Sequence, residues 1–280
     1  MGPGVRMDKH KGILYLSDLD GTLLNSNERV SEYTANIINC FIQKGGCFSY
    51  ATARSFVTAS KVTSGLSLKH PVICGNGGFI HKNTGEILLS NFFTSNEVTI
   101  ISSILMENKI YPVVYGYVDG KERFSYIKKY VTYAMQYFLN SRLGDPRIRI
   151  VDSTDELYSG NIADFSCMDT DHVLFPISKI FDSDNRFNTN YQREIYSGGK
   201  WLNIQPIKTT KANAALQLKS MLGCDKLVVF GDERNDLSMF EVADEKYAMS
   251  NAVPELKEIA TAVIDSNDND GVANWIVTCL

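Results

Sequence analysis

The first apolar run of the chain, Ile13-Leu14-Tyr15-Leu16, is short and unbroken and passes directly into Ser17-Asp18-Leu19-Asp20-Gly21-Thr22. Such a run predicts a strand buried on both faces, with a polar loop at its carboxyl end. Ile37, Ile38, Phe41 and Ile42 then recur at helical spacing over residues 30–44, and Gly45-Gly46 ends that helix. Residues 47–51 read as a second strand closed by Thr52-Ala53-Arg54, residues 55–64 as a helix, and residues 71–74 as a third strand before Gly75-Asn76-Gly77-Gly78. This β-α-β-α-β alternation predicts a parallel sheet with ligands at the carboxyl ends of its strands.

The middle of the chain has a different rhythm. Residues 110–117 and 123–127 flank Asp119-Gly120, a hairpin signal. A helix is predicted over 128–141, where Tyr130, Tyr133, Ala134, Tyr137 and Phe138 make a stripe expected to pack in the core. Residues 162–168 read as a strand and 170–181 as a helix; strands at 193–196 and 201–204 are joined through Ser197-Gly198-Gly199. These elements suggest an α+β unit inserted into the parallel domain. From about Ile207 the earlier alternation resumes, with a helix over 211–222, an apolar strand over 226–230 and a helix over 237–243. Short strands at 247–249 and 263–264 and helices over 254–262 and 271–279 complete it. The fold class is therefore α/β: a Rossmann-like parallel core with an inserted α+β domain. The expected domains are 1–82 (core, first part), 83–197 (insertion) and 198–280 (core, second part).

Composition narrows the function. The 280 residues are 44% hydrophobic and 21% charged, with a net charge of -4. Nothing there favours nucleic acid or an anionic membrane, so an anionic ligand must be held by a few local groups or a metal. No apolar stretch reaches the roughly 20 residues that cross a bilayer. Residues 1–11 are Gly-rich and basic without an apolar core, unlike a signal peptide. The six cysteines form no Cys-x-x-Cys pair, which is consistent with reduced, mostly buried thiols in the cytoplasm. His10, His70, His81 and His172 have no zinc-ligand spacing and are expected on the surface or in loops.

The candidate chemistry lies in the loops. Asp18 and Asp20 follow a buried strand two residues apart, and carboxylates that close repel unless they share a cation or proton. Magnesium would resolve this, since it prefers oxygen ligands. An isolated Asp-Gly pair is more often a solvated turn. The loop Gly231-Asp232-Glu233-Arg234-Asn235-Asp236 follows another apolar strand. Helix capping would explain one acid there; two acidic loops at one sheet edge would make a three-carboxylate cation site. The Thr52 hydroxyl and a helix N-terminus could bind phosphate oxygens, and Lys211 could supply a compact cation.

These segments, in this order, resemble the haloacid-dehalogenase-like phosphatases, specifically the Cof-type sugar-phosphatase group, along almost the whole chain. The motifs are Asp18-Leu19-Asp20-Gly21-Thr22-Leu23-Leu24, Ala51-Thr52-Ala53-Arg54, Lys211 in Lys-Ala-Asn-Ala-Ala-Leu, and Gly231-Asp232-Glu233-Arg234-Asn235-Asp236. Ala53 and Ala212 stand where the family usually has glycine. Further similarity lies in residues 73–78, in Ala248-Met249-Ser250-Asn251-Ala252 and in Asp270-Gly271-Val272-Ala273. The resemblance implies that Asp18 is the nucleophile and Asp20 the general acid and base. It implies magnesium on Asp18, the Asp20 carbonyl and Asp232, with Asp236 in support. Thr52, Ala53, Asn235 and Lys211 would hold the phosphoryl group of a small phosphorylated metabolite, expected to be a sugar phosphate. The insertion would be a cap that selects the leaving group. A phosphosugar mutase, or a non-catalytic phosphometabolite-binding protein, are the alternatives; the acid/base Asp20 argues against the second. Oligomeric state is open.

Overall fold

A computed structural model describes residues 12–193 and 199–280. The chain forms two compact units, one from the segment ending at Ser90 together with Thr210–Leu280, the other from Asn91–Thr209. The first unit opens with β1 (Ile13–Ser17), α1 (Glu32–Gln43), β2 (Cys47–Tyr50), α2 (Phe56–Val62) and β3 (Val72–Cys74). A short antiparallel extension, β4 (Phe79–His81) and β5 (Ile87–Ser90), pairs with β3.

The inserted cap unit then runs α3 (Ser95–Glu107), β6 (Val113–Val118), β7 (Lys121–Ile127), α4 (Tyr133–Asn140), β8 (Ile148–Val151) and α5 (Thr154–Leu157). It continues with β9 (Asn161–Asp169), α6 (Asp171–Asp182), β10 (Phe187–Arg193) and β11 (Lys200–Pro206). Its six strands lie in the order β10-β11-β9-β6-β7-β8, antiparallel except for β7 beside β8. Side chains alternate along β9. Phe165 and Cys167 join the core made with Ile101, Leu105, Leu174 and Phe181 of α3 and α6, while Met168 packs with Ala134, Met135 and Leu139 of α4. The β6–β7 turn places Asp119 (φ 51°) and Gly120 (φ 71°) in the left-handed region, as a tight two-residue hairpin requires.

The chain returns to the first unit with α7 (Lys211–Met221), β12 (Lys226–Gly231), α8 (Leu237–Val242), β13 (Glu245–Met249), α9 (Pro254–Ile259), β14 (Ala262–Ile264) and α10 (Gly271–Val277). The main sheet has the order β14-β13-β12-β1-β2, and every pairing is parallel. β1 lies between β12 and β2, and Leu14, Leu16, Leu227 and Val229 are fully buried, which is why these strands read as continuous apolar runs. Full burial of such a side chain contributes roughly 1.5–3 kcal/mol. Ser17 is in register with both Phe230 and Tyr50, so β1, β2 and β12 end at one edge. No described helix is long and apolar enough to cross a membrane.

Several expectations need correcting. The helix expected over 128–141 begins only at Tyr133, after a 3-10 turn at Lys128–Tyr130. Its aromatic stripe divides: Ala134 is buried, and Tyr130 and Phe138 pack against the hydrophobic clusters, but Tyr133 is 72% exposed and Tyr137 42%, and their hydroxyls hydrogen-bond to each other. The buried face is Ala134, Met135 and Leu139. His81 is buried, not on the surface; its ring stacks on Phe56 and its Nδ1 meets the Gly85 carbonyl. The strand expected over 193–196 lies almost wholly outside the described residues, as do Ser197 and Gly198; the strand there begins earlier, at Phe187. His10 also lies outside them. None of the six cysteines is in a disulfide, and Cys47, Cys74 and Cys167 are buried.

Candidate active site

Three strand ends deliver the acidic and hydroxyl groups. The Asp18 N–H donates to the Phe230 carbonyl and the Ala51 N–H to the Ser17 carbonyl, so the ladder continues one step beyond β1 and fixes both loops. Asp18 is 5% exposed. Gly21 (φ 76°) turns the chain, and a Cβ there would stand 2.2 Å from Asp232 Oδ2. Only glycine allows the two acidic loops so close. The Thr22 hydroxyl closes the gap by donating to Asp232 Oδ1 at 2.6 Å.

The loop after β12 is organised by Asp236. Its Oδ2 accepts the N–H groups of Asp232 (3.0 Å) and Glu233 (3.2 Å). A Cβ on Gly231 would lie 2.7 Å from that same oxygen. Lys211 arrives as the first residue of α7, after Thr210 caps the helix by accepting from the Asn213 N–H. Ala214 and Ala215, fully buried, let this helix pack close. Gly77 is needed for the same reason, since a Cβ there would meet the Thr210 carbonyl at 2.2 Å. The fully buried Lys211 ammonium bridges Asp18 Oδ1 and Asp236 Oδ1, the latter at 2.7 Å.

Burial pushes the Asp18 carboxyl well above the usual carboxylate range. Lys211 pulls it back, and the nearby charges of Asp236 and Asp232 push it up again. Asp232 is pushed up to about 6, chiefly by burial, with the Thr22 hydrogen bond opposing and the Asp236 charge adding to it. Burial works against the Lys211 ammonium, but the charges of Asp18 and Asp236 outweigh it and hold the proton on. Three acids thus share one ammonium. Asp18, Asp232 and Asp236 each offer an oxygen, all within 4.8 Å of one another. This excess of hard oxygen donors suits a hard divalent cation.

The other expected residues divide. The Asp20 side chain stands apart from this cluster. Arg54 Nε donates to both its oxygens (3.1 and 2.8 Å), and Arg54 Nη2 also reaches Glu28 at 2.8 Å. Thr52 is fully buried, and its hydroxyl oxygen accepts from the Arg54 N–H at 3.1 Å. Ala53 is exposed at the loop tip. Asn235 Nδ2 donates to Asn76 Oδ1 at 3.3 Å, while the Asn76 N–H donates to the Thr52 carbonyl at 2.9 Å. Asn76 therefore ties the Thr52 loop to the Asn235 loop, a role that sequence reasoning missed. The signal was the Gly75-Asn76-Gly77 run after a strand, where all three residues take positive φ. Asn235 Oδ1 is buried with no partner among the described residues.

The chain is similar to a known set of proteins. The profile of the haloacid dehalogenase-like hydrolases matches residues 15–276, and the chain belongs to that family. It is 29% identical to the 5-amino-6-(5-phospho-D-ribitylamino)uracil phosphatase YwtE of Bacillus subtilis, over 92% of this chain and 95% of the relative. A second Bacillus subtilis protein, the 5-amino-6-(5-phospho-D-ribitylamino)uracil phosphatase YitU, is 26% identical over 95% of this chain and 97% of its own length. The solved structure of a haloacid dehalogenase-like hydrolase from B. subtilis matches with a TM-score of 0.76 at 23% identity, over 95% of this chain and 99% of that one. That likeness shows a common fold.

Proposed function

We propose that this chain is a magnesium-dependent phosphatase of small phosphomonoesters, with sugar and polyol phosphates as the substrate class. The observation that carries the proposal is the buried Lys211 ammonium shared by Asp18 and Asp236, with Asp232 beside them. A magnesium ion (Mg2+) held by Asp18, the Asp20 carbonyl and Asp232 would offset the surplus negative charge and polarise a phosphoryl oxygen. Asp236, already engaged by Lys211 and two loop amides, supports that set from behind.

Asp18 attacks phosphorus in line, the bond from phosphorus to the leaving oxygen breaks, and an aspartyl phosphate forms. Asp20 gives the leaving oxygen its proton and then takes one from the water that hydrolyses the intermediate. In the structure the Asp20 carboxylate faces the Arg54 guanidinium, so it must exchange that partner for the leaving oxygen. Lys211, the Thr52 hydroxyl, the Ala53 backbone and the Asn235 amide hold the phosphoryl oxygens as charge redistributes. The substrate class draws on the two relatives named for a phosphoribityl compound, a polyol phosphate.

Purified protein should release phosphate from an aryl phosphate only with magnesium present, and chelation should abolish release reversibly. Asp18→Asn should lose at least about a thousandfold in turnover, as removal of a nucleophile does, while circular dichroism stays unchanged. Magnesium-dependent turnover by that variant near the wild-type rate would overturn the assignment. A panel of sugar and polyol phosphates would test the substrate class; activity confined to other phosphomonoesters would refute that part alone.

A further inference from the structure

The segment after β13 has no part in the chemistry proposed above, yet it touches both acidic loops. Asn251 Nδ2 donates to the Gly21 carbonyl at 2.8 Å. Two residues on, the Val253 N–H donates to the Asp232 carbonyl at 2.9 Å. One short stretch of chain therefore bridges the turn that follows Asp20 and the loop that carries Asp232. Asn251 is itself held: its Oδ1 accepts the Asn267 N–H at 3.2 Å, and Asn267 Nδ2 donates to the Leu24 carbonyl at 2.9 Å. Asp268 extends the line by accepting from the Ser26 N–H (2.7 Å) and hydroxyl (2.6 Å). Successive carbonyls and amides of the 21–26 segment are thus stapled by residues more than 200 positions away.

We propose that Asn251 is a positioning residue that sets the separation of the Asp18–Thr22 loop from the Asp232 loop, and with it the spacing of the oxygens that receive the cation. The inference rests on the phosphatase reading above and adds to it a residue that touches neither substrate nor metal. Gly21 and Asp232 already approach to the limit that a missing Cβ permits, and the Thr22 hydroxyl pulls them together. Asn251 adds a second tie between the same loops: it holds the Gly21 carbonyl while Val253, two residues on, holds the Asp232 carbonyl. Magnesium demands near-ideal octahedral geometry, so a small drift of one loop weakens its site more than it weakens the fold. Asn251 is exposed, and its hydrogen bonds contribute little to global stability.

The test uses Asn251→Ala and Asn251→Asp in the full chain. The aspartate is isosteric and keeps the acceptor for Asn267 but loses the donor to Gly21, so it carries the test if the alanine variant folds poorly. Both should keep KM for an aryl phosphate within about twofold while kcat falls about tenfold, because misplacement is felt in the transition state. Half-maximal magnesium should rise several-fold. Two readouts are independent of turnover: Mn2+ affinity by electron paramagnetic resonance should weaken several-fold, and amide exchange over residues 18–25 should quicken in the metal-free protein. Mn2+ affinity and exchange both unchanged would overturn the inference, whatever the activity. If the wild-type protein hydrolyses no phosphomonoester, the phosphatase reading fails, and those two measurements still decide the role of Asn251.

Discussion

Asp18 in the parallel core and Asp164 in the inserted unit are both buried carboxyls, 5% and 8% exposed, and they are neutralised by opposite means. Asp18 has an ammonium against it and two more acids nearby. Asp164 lies within β9 and accepts from the Ser166 hydroxyl (2.6 Å) and from Asn203 Nδ2 (3.0 and 3.2 Å). No Lys or Arg pairs with it among the described residues. Burial pushes Asp164 up to about 6, and the donors Ser166, Asn203 and Gln205 pull it part of the way back. Neutral dipoles offset part of the burial cost of one carboxyl. A cluster of three cannot be held that way, because mutual repulsion grows with each added charge, so the core site requires cations. A site that imports charge is organised for chemistry; an isolated, satisfied carboxyl organises its own sheet.

Removing the cation is the sharpest way to break this comparison. Lys211→Met keeps the volume and leaves three acids without their ammonium. Uncovering a buried charge costs about 3–5 kcal/mol, so the melting temperature without metal should drop steeply. The drop should be larger at pH 8 than at pH 5, because acids deprived of their cation bind protons more tightly in the folded state and recover stability as pH falls. Magnesium should stabilise the variant more than the wild type, since the metal becomes the cluster's sole cation. Thermal melts at two pH values, with and without metal, decide the matter. A loss below about 1 kcal/mol, as for an exposed ion pair, would show that Lys211 does not balance the cluster.

The two units also differ in how far the sequence revealed them. The core was legible because burial on both faces writes β1 and β12 as plain apolar runs, and the loops after them carry Asp18 and Asp232 in the open. In the insertion, α3 went unread. The capping box of Thr94 and Glu97 was present, but Val98-Thr99-Ile100-Ile101 is β-branched and suits a strand equally well. In the first unit, β4 and β5 are only three and four residues long, too short for a period to show. Tyr133 and Tyr137 shared helical spacing with core residues, and spacing alone does not tell which face of a short helix meets the sheet. At the site, Lys211 was suggested by its order among the motifs; its complete burial was not, because lysine at a helix start is ordinarily solvated. Asn76 and Asn251 were visible as residues but not as links. Their partners lie 159 and 230 positions away, and local patterning does not say which distant loop an amide will meet.

A smaller effect sharpens the comparison from the other side. Burial pushes Asp164 from near 3.9 in the unfolded chain up to about 6 in the folded state, so the folded state binds its proton more tightly. That contribution is fully present below pH 4, is lost as pH rises towards 6, and stays lost above it. Two pK units correspond to roughly 2–3 kcal/mol, which ionised Asp164 withholds from the folded state at neutral pH. Asp164→Asn removes the ionisation. Its amide keeps one acceptor oxygen for Asn203, and the Ser166 hydroxyl can rotate to accept from the new NH2 group, which offsets part of the gain. The variant should therefore melt several degrees higher relative to wild type at pH 8 than at pH 4. Comparing the two melting differences cancels any packing change, which does not depend on pH, and cancels the core acids, which both proteins share. A difference that stays constant from pH 4 to pH 8 would mean that Asp164 is already ionised at little cost, and that the neutral donors around it do as much as Lys211 does for Asp18.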